Sequence, residues 1–285
     1  MVGPLGAHVS TAGGISRAPA RGAKIGATAI QVFTKSPNRW QEPRLQEHEV
    51  ALFKQGMAAT EIQSVVSHDS YLINLASPDP KLRARSVAAF KRELERCRDL
   101  GIPAVVTHPG NFIDDRAAGI ARNAAAYTES LEEVSGPHVF IETTAGSGTA
   151  LGSTFQELAE LRRQVRKRLQ HRVGFCADTC HLHAAGYDIV NDWDGVWNEW
   201  DRVIGLNNLR CIHLNDSKTA FGSRRDRHEL IGEGTLGPEP FRRMMRDQPF
   251  RGIMKVIETP KLDDPVLYDR RMIRRLRAYG RQKSA

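Results

Sequence analysis

This sequence lacks any long apolar run. No stretch approaches the ~20 consecutive apolar residues that a membrane-spanning helix needs, which argues against a helical membrane protein. Its start, Met1-Val2-Gly3-Pro4-Leu5-Gly6, has neither the basic n-region nor the apolar h-region of a secretory signal, so a cytoplasmic location is expected. Cysteine is scarce. Cys97, Cys176, Cys180 and Cys211 follow no framework spacing, which points to a reducing compartment and no structural disulfide. No Pro/Ser-rich linker and no shift of composition divides the chain, so residues 1–285 are expected to form a single domain. Acidic residues are in deficit. The formal net charge is +8, which favours a polyanionic partner. Much of the excess lies in an acid-free tail carrying Arg270, Arg271, Arg274, Arg275, Arg277, Arg281 and Lys283. That tail reads as a last helix with solvated basic side chains and Met272, Ile273 and Leu276 turned inward.

What is present repeats. Apolar runs end near His8, Phe33, His68, His108, Glu142, Asp178, His213 and Glu258, at intervals of roughly 25 to 45 residues. Helical patterns fill the gaps: 81–100, 116–134 and 155–169. Asp79-Pro80 opens the first of these and Gly101-Ile102-Pro103 closes it. Strand, loop, helix, eight times over, predicts an α/β protein of the (β/α)8 TIM-barrel class. The runs are continuous rather than alternating, as strands covered on both faces require. A doubly wound open sheet fits less well, because it spreads its strand ends along a line instead of a ring.

Six of the runs end on a histidine or a carboxylate: His68, His108, Glu142, Asp178, His213 and Glu258. His181 follows Asp178 by three residues, and Asp226 and His228 form an Asp-x-His pair after the seventh strand. In a barrel these side chains converge. Any one alone reads as a hydrogen-bonded or surface residue. Nine at matched positions point to metal ligation, because unpartnered buried charges cost several kcal/mol each. Imidazole mixed with carboxylate suits zinc and is too histidine-rich for magnesium alone. Nine donors are too many for one four-coordinate ion. Three divalent ions would outweigh the four carboxylates and attract an anion such as a phosphodiester.

These residues also carry a resemblance. Gly6-Ala7-His8-Val9-Ser10, Phe33-Thr34-Lys35, His68 through Leu75, His108-Pro109-Gly110 and Ile141 through Gly146 match in order. So do Asp178-Thr179-Cys180-His181, Ala185 through Asp188, His213 through Asp216, Phe221-Gly222-Ser223, Asp226-Arg227-His228, Gly232-Glu233-Gly234 and Ile257-Glu258-Thr259. Over nearly its whole length the chain resembles the endonuclease IV family of apurinic/apyrimidinic (AP) endonucleases. The resemblance implies a TIM barrel that holds three Zn2+, the third site also open to Mn2+. It implies cleavage of duplex DNA 5′ to an abasic site, leaving a 3′-hydroxyl and a 5′-deoxyribose phosphate. By motif, His68, His108 and Glu142 resemble the ligands of a first ion. Glu142, Asp178, His213 and Glu258 resemble those of a second, and His181, Asp226 and His228 those of a third. Glu142 and Glu258 would also act in catalysis by positioning the attacking hydroxide.

The same resemblance assigns Tyr71 and Leu72 to insertion near the missing base. Lys35, Arg39, Lys218, Arg224 and Arg225 are the candidate phosphate contacts on the loops after the second and seventh strands. The loop Ser36-Pro37-Asn38-Arg39-Trp40 departs from the family pattern: Asn38 stands where arginine is usual, leaving Arg39 beside it. Gly146 through Gly152 has neither dinucleotide nor P-loop spacing and reads as a turn that lets backbone approach the site. Cys176-x3-Cys180 lacks the second pair of a zinc finger, and Cys176 reads as core. His8 lines the pocket without a metal role, and His48, His138, His171 and His183 receive none. A monomer in a bacterial-type cytosol is expected. The rival functions are a divalent-metal sugar isomerase or epimerase on the same barrel, and a non-catalytic binder of damaged DNA. A count of bound metal separates the three.

Overall fold

The computed structural model describes residues 3–41 and 44–281; Lys283 of the basic tail lies outside them. Eight parallel strands close into a barrel in the order β1-β10-β7-β6-β5-β4-β3-β2. They are β1 (Leu5–His8), β2 (Ala29–Val32), β3 (Ser64–His68), β4 (Ala104–Thr107), β5 (His138–Glu142), β6 (Val173–Asp178), β7 (Leu209–His213) and β10 (Met254–Ile257). Between β7 and β10 the chain adds a two-stranded antiparallel ribbon, β8 (Asp216–Ser217) and β9 (His228–Glu229), which the sequence reading does not contain.

The helical layer comprises α1 (Ala18–Lys24), α2 (Glu47–Ala58), α3 (Pro80–Leu100), α4 (Arg116–Glu133), α5 (Phe155–Gln164), α6 (Thr179–Ala185), α7 (Trp193–Val203), α8 (Glu239–Arg246) and α9 (Pro265–Arg281), and it follows the sequence cues. Helix α3 (Pro80–Leu100) starts where Asp79 accepts from the amides of Lys81 and Leu82, and it stops at Gly101, whose φ is 75°. Such an N-cap is worth about 1 kcal/mol, and the left-handed stop requires glycine. Phe90, Leu94 and Cys97 fall on one face and are buried against the barrel. The predicted helix 155–169 is shorter than expected: α5 ends at Gln164, Val165 is extended, and Lys167–Arg172 forms a 3-10 turn. Val165 is a β-branched residue that packs into the core here rather than continuing the helix. The last helix, α9 (Pro265–Arg281), buries Met272, Ile273 and Leu276 as expected. No helix among the described residues is long and apolar enough to cross a membrane.

Alternation along the strands divides their side chains. Val65, Val105, Val139, Phe175, Ile212 and Ile257 join the large core between sheet and helices. Ala29, Val66, Ala104, Val106, Cys176, Cys211, Met254 and Val256 form a second cluster inside the barrel, with Phe140 against it. Two residues beyond that cluster, toward each strand's C-terminal end, lie Gln31, His68, His108, Glu142, Asp178, His213 and Glu258. Strand period and register therefore place one polar side chain per strand in the topmost lumen layer, with His8 completing the ring.

Candidate metal centre

All nine predicted ligands meet at the C-terminal mouth of the barrel. The donor atoms of His68, His108 and Glu142 lie within 4.8 Å of one another, as do those of Glu142, Asp178, His213 and Glu258. A third group joins Asp178, His181 and His228. Asp226 closes this third group: its carboxylate is 3.1 Å from His181 Nε2 and 3.0 Å from His228 Nε2. Glu142, fully buried at the end of β5, is the hub. His68 and His108 approach its Oε2 at 3.2 and 3.1 Å, while His181 and His213 approach Oε1 at 3.3 and 3.0 Å.

The imidazoles are presented with a defined nitrogen free. His68 Nδ1 lies 2.9 Å from the Asp69 carbonyl, and His181 Nδ1 lies 2.8 Å from the Thr143 carbonyl. His228 Nδ1 lies 3.3 Å from the Glu258 carbonyl. A carbonyl only accepts, so each Nδ1 carries a proton and each Nε2 is the nitrogen turned toward the carboxylates, whose lone pair a cation takes when it displaces the second proton. His213 is held the other way round. Its Nε2 donates to Gln31 Oε1 at 2.8 Å, which leaves Nδ1 facing Glu142 and Glu258. The Gln31 amide cannot be reversed, because its Nε2 donates to Glu258 Oε1 at 2.6 Å and a carboxylate needs a donor there. His228 Nε2 is buried and, despite its nearness to Asp226, makes no hydrogen bond. A buried ring nitrogen left without a hydrogen-bond partner among carboxylates is a position that a cation satisfies. The donor set fits borderline divalent ions.

Charge tells the same story. Burial alone would lower the His68 and His228 imidazoles, but Glu142 outweighs it at the first and Asp226 at the second, and both are pushed up to about 9. His181 and His213 also rise, against burial, through Asp178 and Glu142 respectively. The Glu142 and Glu258 carboxyls, which burial would raise, are instead held well down, chiefly by the charge of His213. Protons on imidazole thus supply positive charge that divalent ions would replace, so metal loading releases protons.

Several positioning residues escaped the sequence reading. Gln31 is one; its only signal is a polar residue inside the apolar run of β2. Asn215 is another. Its Nδ2 donates to Asp178 Oδ2 at 2.6 Å and its Oδ1 accepts from the Glu258 amide at 2.8 Å. Behind the ligands, Ser67 and Thr34 donate to the buried carboxylate of Glu93 on α3, and Thr107 donates to Asp69 at 2.6 Å. Burial pushes the Asp69 carboxyl up to about 7. Gly152 sits where the sequence places a backbone approach: with φ 84°, a Cβ there would lie 2.7 Å from Pro109 Cγ and 3.2 Å from the Glu142 carbonyl. His8 reaches Glu258 at 3.3 Å and joins none of the donor groups; His183 contacts Thr235 Oγ1 at 3.1 Å, away from the cup.

The predicted DNA contacts ring the mouth on different loops. Tyr71 is 65% exposed, its ring 5.4 Å from Phe33 and 6.1 Å from His68, while Leu72 is half-buried. Arg39, Lys218, Arg224 and Arg225 are exposed; Lys35 folds back, donating from Nζ to the Arg39 carbonyl at 2.8 Å. Ile113 was not foreseen. It is 61% exposed with φ 63°, and the Asp114 amide donates across it to the Phe112 carbonyl at 2.7 Å, a γ-turn of the strained hand. Arg122 clamps that turn through the Phe112 carbonyl and the Asp114 carboxylate.

Residues 19–278 match the family described as xylose isomerase-like TIM barrel. A protein of Geobacter sulfurreducens named probable endonuclease 4 is 47% identical over 266 residues, spanning 91% of this chain and 89% of that protein. Endonuclease IV from Thermus thermophilus superposes with a TM-score of 0.86 at 33% identity, covering 97% of this chain and 98% of that one. The D-psicose 3-epimerase of Clostridium cellulolyticum shares the fold alone, with a TM-score of 0.66 at 17% identity over 97% of this chain and 95% of that one. On these matches the chain belongs to the endonuclease 4 family of xylose isomerase-like TIM barrels.

Proposed function

We propose that this chain is an endonuclease of DNA repair that hydrolyses the phosphodiester 5′ to an abasic site in duplex DNA, leaving a 3′-hydroxyl and a 5′-deoxyribose phosphate. It acts as a cytosolic monomer of one domain. Three zinc ions would be held by His68, His108 and Glu142, by Glu142, Asp178, His213 and Glu258, and by His181, Asp226 and His228, with Mn2+ also admissible in the last. The observation that carries this reading is the sharing of Glu142 between two donor groups: Oε2 faces the imidazoles of His68 and His108, and Oε1 faces Nδ1 of His213. The third group, with its Asp-x-His pair, favours a nuclease over an isomerase that needs one or two ions.

Bound cations would supply Lewis-acid charge against the scissile phosphate and the departing 3′-oxygen. Glu142 stays ionised and fixes the cup. Glu258 has Oε1 occupied by Gln31 and His8, so Oε2, which lies 3.3 Å from His213 Nδ1, is the oxygen turned toward the cation and the attacking water it would orient. Tyr71 offers an exposed ring where the base is missing, and an abasic nucleotide has little stacking to lose on extrusion. Exposed Arg39, Lys218, Arg224 and Arg225 surround the mouth with positive charge for the flanking phosphates. The test is incision of a duplex carrying one abasic analogue, paired with elemental analysis. Cleavage 5′ to the lesion with about three zinc per chain supports the reading. An intact duplex at full zinc content, or cleavage by protein holding no divalent metal, overturns it.

A further inference from the structure

The layer directly beneath the cup holds a feature the proposed reaction does not use. Strand alternation places Cys176 and Cys211 in the lumen, two residues below Asp178 and His213 respectively. They are register partners on neighbouring strands β6 and β7, at a local irregularity of the pairing. Both are fully buried and neither forms a disulfide. By strand period the other lumen positions at this level are Gly6, Ala29, Val66, Val106, Phe140 and Val256, so among the strand residues of this layer the two thiols are the only polar side-chain groups. The sulfurs and a ring nitrogen of His213 lie within 4.8 Å of one another. Nε2 of His213 is committed to Gln31, and Nδ1 also lies 3.0 Å from Glu142 Oε1, so Nδ1 is a nitrogen that the thiols share with the cup.

We propose that Cys176, Cys211 and His213 Nδ1 form a second, softer cation site under the cup, selective for a thiophilic divalent ion. The chemistry favours it on three counts. Thiolate is a soft donor, whereas the cup above offers only imidazole and carboxylate. Two sulfurs in a tetrahedral site with bonds of about 2.3 Å stand about 3.8 Å apart, a spacing compatible with donors that lie within 4.8 Å of one another. Two thiolates and one divalent ion sum to zero, so the complex carries no net charge into an apolar layer, where an uncompensated ion would be prohibitively costly. Each thiol releases its proton to solvent as the ion binds.

The site borrows His213 from the ligand set of the second zinc ion. A soft ion in the thiol layer and zinc in that position of the cup are therefore mutually exclusive. Only this competition rests on the function proposed above; binding to the thiols does not.

Cadmium is the probe. Metal-free, full-length protein titrated with Cd2+ should develop the ultraviolet thiolate-to-cadmium charge-transfer band, its plateau height corresponding to one thiol-bound cadmium per chain. C97A/C180A, which removes the other two cysteines, should keep the band, and C176A/C211A should lose it. Should the double variant fail to fold, C176S and C211S alone should each cut the band at least twofold. Survival of the band in C176A/C211A, its loss in C97A/C180A, or its absence from the wild type overturns the proposal. In a second arm, prior loading with zinc should slow the band's appearance several-fold. Protein that shows the band yet never incises abasic DNA would sink the proposed function while leaving the thiol site intact.

Discussion

The two ends of this barrel bury charge in opposite ways. At the C-terminal mouth, five imidazoles and four carboxylates crowd together, each leaning on others that could exchange it for a cation. Toward the N-terminal end, Lys255 is buried alone in the helix-facing layer, its ammonium donating to the carbonyls of Phe250 and of Ile253, the latter at 3.0 Å. Backbone strain divides the same way. Ile113, Arg224 and Leu262, the non-glycine residues of positive φ among those described, all lie on loops that leave the C-terminal ends of strands. A buried charge with fixed backbone partners serves the fold. A buried cluster whose members satisfy one another incompletely, on strained loops, marks the working end.

The sharpest test of this contrast is Glu142→Gln. Removing the hub's charge should cut incision about a thousandfold or more, roughly 4 kcal/mol of transition-state stabilisation, with circular dichroism unchanged. A variant retaining a tenth of wild-type turnover would break the comparison. Next in size is chelation. Stripping the ions should cost about 4 kcal/mol, the linkage expected at a thousandfold excess of ligand over Kd, and lower the Tm by roughly 10 °C, with recovery on adding zinc. If metal-free and zinc-loaded protein melt within about a degree, the mouth is not a cation site.

Lys255→Met probes the other end. Burial pulls the Lys255 ammonium down to about 8 from its ordinary 10.5. Between those values the unfolded chain binds the proton and the folded one does not, so wild-type stability should rise with pH across this window, by up to about 3 kcal/mol. The variant should lack that rise in urea unfolding compared at pH 8 and pH 10; parallel curves would remove Lys255 from the argument. Gln31→Ala should weaken zinc affinity about 10- to 100-fold, measured by competition with a chromophoric chelator, while the zinc-free Tm moves little. An unchanged affinity would mean that His213 needs no partner on Nε2. The smallest effect belongs to Ile113→Gly. A left-handed non-glycine residue costs about 1–2 kcal/mol and glycine's extra chain entropy about 0.5–1, so the variant should gain up to about 1.5 kcal/mol in unfolding experiments. A loss of stability instead would show that the turn serves the fold.

The sequence made the barrel and the cluster at its mouth legible for one reason. Strand ends in a closed parallel sheet are the same place in space, so a residue type repeated at strand ends is already a cluster. Val173 through Asp178 needed no tertiary information to be read as a strand ending on a member of the cluster. Gln31 and Asn215 were not legible, because a lone amide takes its meaning from neighbours on other strands, such as His213 and Asp178. The end of α5 was missed because Gln164-Val165-Arg166 carries no glycine or proline to announce it; packing of Val165 decides it. Ile113 was invisible because nothing in a β-branched residue advertises a positive φ.

The bonding of Gln31 reaches further than its size suggests. Oxygen toward His213 and nitrogen toward Glu258 is the one orientation its neighbours allow, and it decides on which side of a buried ring a proton resides. An enzyme evolving on this scaffold could thus switch one lumen position between open and closed to cations by replacing a strand-two side chain that need never meet the substrate.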